Sequence, residues 1–346
     1  MKTRTAVGLT LCALICCLIP AVATAATLAQ RVAALETAVA TLQGQVTALQ
    51  NTLAAANNVL ALNPYLTVDT ATHRVRFTGV NLQVVNGTGE TATRNGLGNL
   101  LIGYDLTRVS GAHVCSDGQY LDDGDCRAAG ETWAVSHKTG SHYLVIGDEH
   151  NYSQYGGLVL GFGNGSYGHH ASVTAGSTNR ALGPYSIVTG GSSNTASGPH
   201  ASVTAGYLNT ASGSHASVTG GSYNTASGSG ASVTGGAVNN ASGGSATVTG
   251  GGVNSATELA ASVTGGSNNT ASGFYTSVTG GNHNDARGET ATVTGGSANT
   301  ASGTGATVTG GSNNTASGTT ASVSGGTSRT ASGTNDWRAG GLYQNY

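Results

Sequence analysis

Charge, proline and large side chains are all scarce in this sequence. Charged residues make up 8%, and there are four prolines, two tryptophans, three phenylalanines and one methionine. A formal net charge of −2 leaves no basic surface, so neither nucleic acid nor an anionic membrane is expected as a partner. Disordered segments are as a rule rich in charge or proline, and this chain is poor in both. Catalytic groups are missing too. Across 171–333 the charged side chains are Arg180, Glu258, Asp285, Arg287, Glu289 and Arg329, scattered rather than convergent. No paired carboxylates, nucleophile–base set or phosphate-cradling loop stands out, so neither enzyme activity nor a cofactor is expected.

Lys2 and Arg4 precede an apolar run, residues 6–19, that is short for a membrane span; Pro20 and Ala23-Thr24-Ala25 follow. That order is the pattern of a secretory signal peptide over 1–25, with an uncleaved anchor as the alternative. The leader implies a secreted or cell-surface protein. It would remove Cys12, Cys16 and Cys17, leaving Cys115 and Cys126, which in an exported chain most simply form one disulfide. Their loop is short, and the chain-entropy model assigns it about 3 kcal/mol. A metal–thiolate pair would need further Cys or His ligands at suitable spacing, and none is present, so no metal site is expected there.

What the sequence does hold is periodicity. Residues 27–62 carry a heptad pattern: Leu28, Leu35, Leu42 and Leu49 in one register, Val32, Val39, Val46 and Leu53 in the other. A sustained 3,4 spacing puts one narrow apolar stripe on a helix, and the stripe predicts a coiled-coil stalk. Such a helix would run roughly 54 Å and end at Asn63-Pro64. Valine in one register with leucine in the other leans toward a parallel dimer.

Between 171 and 333 the chain repeats every fifteen residues, eleven times over. Val173, Val188, Val203, Val218 and Val233 begin a column that continues to Val323. Six residues after each valine stands asparagine, from Asn179, Asn194, Asn209 and Asn224 to Asn314, with Arg329 the exception. Glycine follows each valine by three, and alanine by eight. So constant a phase predicts an all-β parallel β-solenoid, each coil stacked on the last. Alternation in the two short strands of a coil turns Val, Ala, Asn and Gly inward and Ser and Thr outward. Buried asparagines need partners, which neighbouring coils can supply. One valine and two alanines per coil bury too little surface to offset chain ordering comfortably, so association with further copies is expected.

Residues 64–170 read as entry coils. Leu100-Leu101-Ile102-Gly103, Leu144-Val145-Ile146-Gly147 and Leu158-Val159-Leu160-Gly161 are apolar strands and predict coils with a larger core. Arg74 to Val85 reads as one or two strands leading in. An insertion over 104–141 holds both mature cysteines, braced by their disulfide. It is either a partner-recognition surface or a cap on the coil edge. Asp117, Asp122, Asp123 and Asp125 cluster there without calcium-loop spacing, which favours a solvated acidic loop. Residues 334–346, with Trp337, Leu342 and Tyr343, are expected to cap the last coil.

Ser217-Val218-Thr219-Gly220-Gly221 with Ala226-Ser227-Gly228, and more closely Tyr143-Leu144-Val145-Ile146-Gly147, resemble the head repeats of trimeric autotransporter adhesins, the YadA-like or Hep-Hag β-roll. The resemblance covers about 190 residues. It implies a left-handed β-roll in a homotrimer, acting as an adhesin or fibre tip on the bacterial outer surface. This sequence departs from that pattern in its period of fifteen rather than fourteen and in placing the coiled coil before the head, and no membrane-barrel segment is expected after the repeats.

Two functions follow as expectations. The first is an extracellular oligomeric fibre or adhesin, with a surface or matrix ligand met by the 104–141 insertion or the variable turn residues. The alternative is an ice-binding solenoid that uses the Ser172-Val173-Thr174 type of hydroxyl array. His170, Tyr185, His200 and His215 share one turn position on successive coils and predict a column, either a metal or ligand-stacking site or simply polar turns.

Overall fold

The computed structural model describes residues 27–62, 64–339 and 342–344. The leader expected over 1–25 lies outside the described residues. The chain divides into two units between Leu82 and Gln83.

In the first unit a helix, α1, spans Leu28–Leu60. Its start is a reciprocal cap: Gln30 Oε1 accepts the Thr27 N–H at 2.9 Å, and Thr27 Oγ1 accepts the Gln30 N–H at 3.4 Å. Thr37, Thr41, Thr47 and Thr52 donate their hydroxyls to the carbonyl four residues back, which satisfies these weak helix formers within the helix itself. After it, Leu66–Asp69 and Arg74–Phe77 pair antiparallel. The expected lead-in strands over 74–85 therefore shorten to one, and residues 78–99 hold no strand. The Asp69 carboxylate closes the hairpin turn by accepting the Ala71 and Thr72 N–H groups.

The second unit is the parallel β-solenoid that the repeat predicts. Each regular coil contributes a Ser–Val type strand to one sheet and a Thr–Ala type strand to another. Among the described residues these sheets have sixteen and thirteen strands. The register is fifteen residues throughout the repeats, Val173 opposite Val188 and Ala181 opposite Ala196. A third column of contacts, Ser177–Ser192–Tyr207–Ser222 and onward, joins the coils by single bridges. Sequence alternation did not reveal this third column, because only one residue per coil takes part.

The interior is thin. Val173, Val188, Val203, Val218 and Val233 are wholly buried, with Ala171 and Ala181 and their copies beside them. Gly176 adopts φ +83° and a Cβ there would collide with the Gly191 carbonyl, so the turn after each valine strand tolerates no side chain. Two further turns in most coils place non-glycine residues in the left-handed region, for example Thr178 at φ 54° and His170 at φ 56°. Each turn is held by its neighbours in the stack: the His200 N–H donates to the Pro184 carbonyl at 2.9 Å.

The buried asparagines bond to backbone rather than to one another. Asn194 Oδ1 accepts the Asn209 N–H, while Asn209 Nδ2 donates to the Ala205 and Gly221 carbonyls, both at 3.0 Å. The same pattern runs from Asn164 to Arg329, whose N–H donates to Asn314 Oδ1. Two residues outside the repeat extend it. His150 takes the asparagine place one coil earlier: its Nδ1 accepts the Asn164 N–H at 3.2 Å and its Nε2–H donates to the Ile146 carbonyl at 3.0 Å. Asp105 Oδ1 in turn accepts the His150 N–H at 3.1 Å. The buried Asp105 carboxylate is paired with Lys138 Nζ at 2.9 Å and accepts the Tyr152 hydroxyl.

The entry coils do have a larger core, but not from the residues expected. Val145 and Val159 face inward in register with Val173, so the flanking Leu144, Ile146, Leu158 and Leu160 point outward by simple strand alternation. The extra bulk inside comes from Tyr143 and Tyr152, whose rings lie 5.5 Å apart. Beyond the last repeat, Trp337–Ala339 continues the valine sheet and Leu342–Gln344 turns back on it antiparallel.

Candidate interaction surfaces

The sequence-predicted residues fall into two kinds. The ladder residues Val173, Val188, Val203, Val218, Val233, Asn179, Asn194, Asn209 and Asn224 are buried and structural. The heptad residues Leu28, Val32, Leu35, Val39, Leu42, Val46, Leu49 and Leu53 are all exposed on the single chain, Leu35 at 65%. Such a row of leucine and valine on one helix face is far more apolar surface than an isolated helix leaves to water.

A second apolar surface was not foreseen as one. On the outer face of the valine sheet, Leu100 and Ile102, then Leu144 and Ile146, then Leu158 and Leu160 stand on three adjacent strands. Ile102 is 53% exposed and Leu158 37%. From Ser172 to Ser324 the same outward positions carry serine and threonine, with Ile187 the one apolar residue among them. The outer face is thus apolar over its first strands and hydroxylated beyond. The signal was present in the sequence, as three Leu-x-Ile/Leu strands followed by Ser-x-Thr strands.

The 104–141 insertion is seated on the solenoid. The Cys115–Cys126 disulfide forms, tying the strand Val114–Cys115 to a short helix, α2, Asp123–Ala128. Val114 packs with Tyr167 and Leu182, covering the first strands of the alanine sheet. Gln119 Nε2 donates to the Leu182 carbonyl, Asn151 Nδ2 to the Val135 carbonyl, and Ser153 Oγ to the Ser116 carbonyl. Lys138 and Ser141 then rejoin the stack by parallel bridges to Tyr152 and Tyr155. Much of the insertion therefore covers a sheet edge. His137 is buried within it, and desolvation holds its imidazole below the ordinary range. Glu131, paired with Arg94 at 2.9 Å, is held below the usual carboxylate range chiefly by that hydrogen bond.

The acidic cluster is already employed. Asp122 caps α2 by accepting the Asp125 N–H, Asp123 pairs with Arg127, and Asp117 accepts the Gln119 N–H. These carboxylates do not converge. No family model matches this chain, and no curated protein matches it.

The predicted turn column exists. His170, Tyr185, His200 and His215 stack in order, with ring centroids 5.2, 5.0 and 4.8 Å apart and interplanar angles of 20°, 3° and 10°. Tyr155 and His169 extend it at the amino-terminal end.

Proposed function

We propose that the chain is an extracellular, self-associating fibre or adhesin-like protein. The α1 helices of three parallel copies form a coiled-coil stalk, and the solenoids form rigid heads. One observation carries this reading: a single chain leaves bare two apolar surfaces, the α1 stripe and the outward Leu/Ile face of the entry strands. In a parallel assembly equal levels meet, so the apolar face of one copy meets that of the next. Six side chains are a small contact beside the ~1,200–2,000 Å² that stable interfaces bury, so the stalk supplies the rest. The resemblance to trimeric adhesin heads supports the count of three, and the leader-like start supports export. Exposed Tyr104, Val109 and Leu121 of the insertion are the surface offered to a ligand. Antibody labelling of intact, unpermeabilised source cells tests the location: surface label is expected, and label only after permeabilisation overturns it.

Ice binding is favoured by one observation. Hydroxyl rows line two outer faces, Ser-x-Thr on the valine sheet and Thr-x-Ser on the alanine sheet, so covering the first leaves the second free. Thermal hysteresis by the purified protein would support it, and its absence removes it.

A further inference from the structure

The stacked column presents ring edges, not ring faces. Each inner ring is sandwiched by its neighbours, so a flat ligand finds an open face only on His215, beside Gly230. What reaches solvent is a line of imidazole nitrogens and a phenol. We propose that His200 and His215 form a binding site for a late first-row divalent metal ion, copper(II) foremost.

The two histidines lie on adjacent coils, their rings 4.8 Å apart and within 10° of parallel. Both occupy left-handed turns, at φ 57° and 58°, and each turn N–H is bonded to the coil before, His215 to the Pro199 carbonyl at 2.9 Å. The stack thus fixes both Cα positions before any metal arrives, which lowers the ordering cost of binding. His215 Nδ1 lies 2.9 Å from Ser214 Oγ, which orients the ring and leaves Nε2 to point outward. Metal–imidazole bonds of about 2.0–2.1 Å lie in the ring planes, so to share one ion the two rings must turn out of their parallel stack until their lone pairs converge, a change of rotamer open to two exposed side chains. Tyr185 stacks on His200 at 5.0 Å and 3°, a contact that is given up as the His200 ring turns toward His215.

The same turn elsewhere in the stack takes Gly230, Ser245, Gly305 and Asn335, so the fold does not demand histidine there. Among the described residues no group of three or more His, Cys, Asp or Glu converges, so water completes the coordination. Two imidazoles and water suit copper(II), which heads the affinity order for nitrogen ligands. This site holds whether or not copies of the chain associate.

The test is titration of Cu²⁺ into the full mature chain, followed by calorimetry and electron paramagnetic resonance. Binding in the micromolar range with a two-nitrogen spectrum is expected. His200→Asn and His215→Asn should each weaken it at least tenfold and remove one nitrogen from the spectrum. Asparagine keeps the turn, since Asn335 holds it at φ 60°. His283→Asn, at a turn flanked by Asn268 and Ala298, should change nothing. Wild-type affinity and spectrum in the His200→Asn/His215→Asn double variant overturn the proposal, as does wild-type protein that binds no copper in that range.

Discussion

Asn194 Oδ1 accepts the backbone N–H of Asn209 at 2.9 Å, fifteen residues on, and that one relationship is repeated along the whole stack. It ties side chain to backbone between coils that share only small side chains. The amide does what a larger apolar core does in other folds: it fixes register and leaves few buried polar groups unpaired.

Asn209→Ala should therefore cost far more than its size suggests. It leaves the buried Asn224 N–H and the Ala205 carbonyl without their side-chain partner. Such orphaned groups cost about 1–3 kcal/mol each, so a loss of about 2–4 kcal/mol is expected in denaturant unfolding. Thr210→Ala on the outer face next to it should change stability by less than about 0.5 kcal/mol.

Gly213 has a backbone neighbour where a Cβ would stand, the Gly228 carbonyl. Backbone cannot swing aside as a flexible side chain can, so Gly213→Ala is expected to destabilise by about 1–3 kcal/mol. Gly220→Ala, where a Cβ meets nothing, is the matched control in the same thermal melts.

Acid should loosen the entry coils before the repeats. Desolvation holds the buried His150 imidazole below the ordinary range. Its Nδ1 must stay unprotonated to accept the Asn164 N–H. With the folded value depressed, the stability present above the ordinary imidazole range is lost as pH falls through that range, because the unfolded chain then binds the proton more readily. His150→Asn restores the residue that the later coils use and should flatten that part of the pH profile. Amide exchange of 144–166 between pH 7 and 5 measures it; an unchanged slope in the variant would count against the role given to His150.

Opening the Cys115–Cys126 bridge should free the insertion and spare the repeats. Cys115→Ser/Cys126→Ser loses about 3 kcal/mol by the chain-entropy model. Proteolysis should then cut within 104–141 while 171–333 resists.

Much of this fold was legible because the repeat is so constant. Valine, asparagine and alanine each keep one phase, and period-two alternation then tells inside from outside. The same rule, applied to Leu144 and Ile146, would have turned them outward, but bulk was read as core. Tyr143 and Tyr152 fill that core instead, and single tyrosines carry no period. His150 lies fourteen residues before Asn164, as Gly147 lies fourteen before Gly161, so its place in the ladder could have been found by counting. Asp105 could not, because the insertion separates it from every phase marker. The seat of the insertion on Tyr167 and Leu182 was likewise illegible, being a long-range contact between segments without repeats.

Light-scattering mass of the mature chain, with and without residues 27–62, tests self-association most directly. Three chains are expected for the full mature protein. Removing the stalk should weaken that assembly, and Leu144→Ser/Leu158→Ser in the shortened protein should weaken it further. A folded single chain for the full mature protein, across micromolar concentrations, would contradict it.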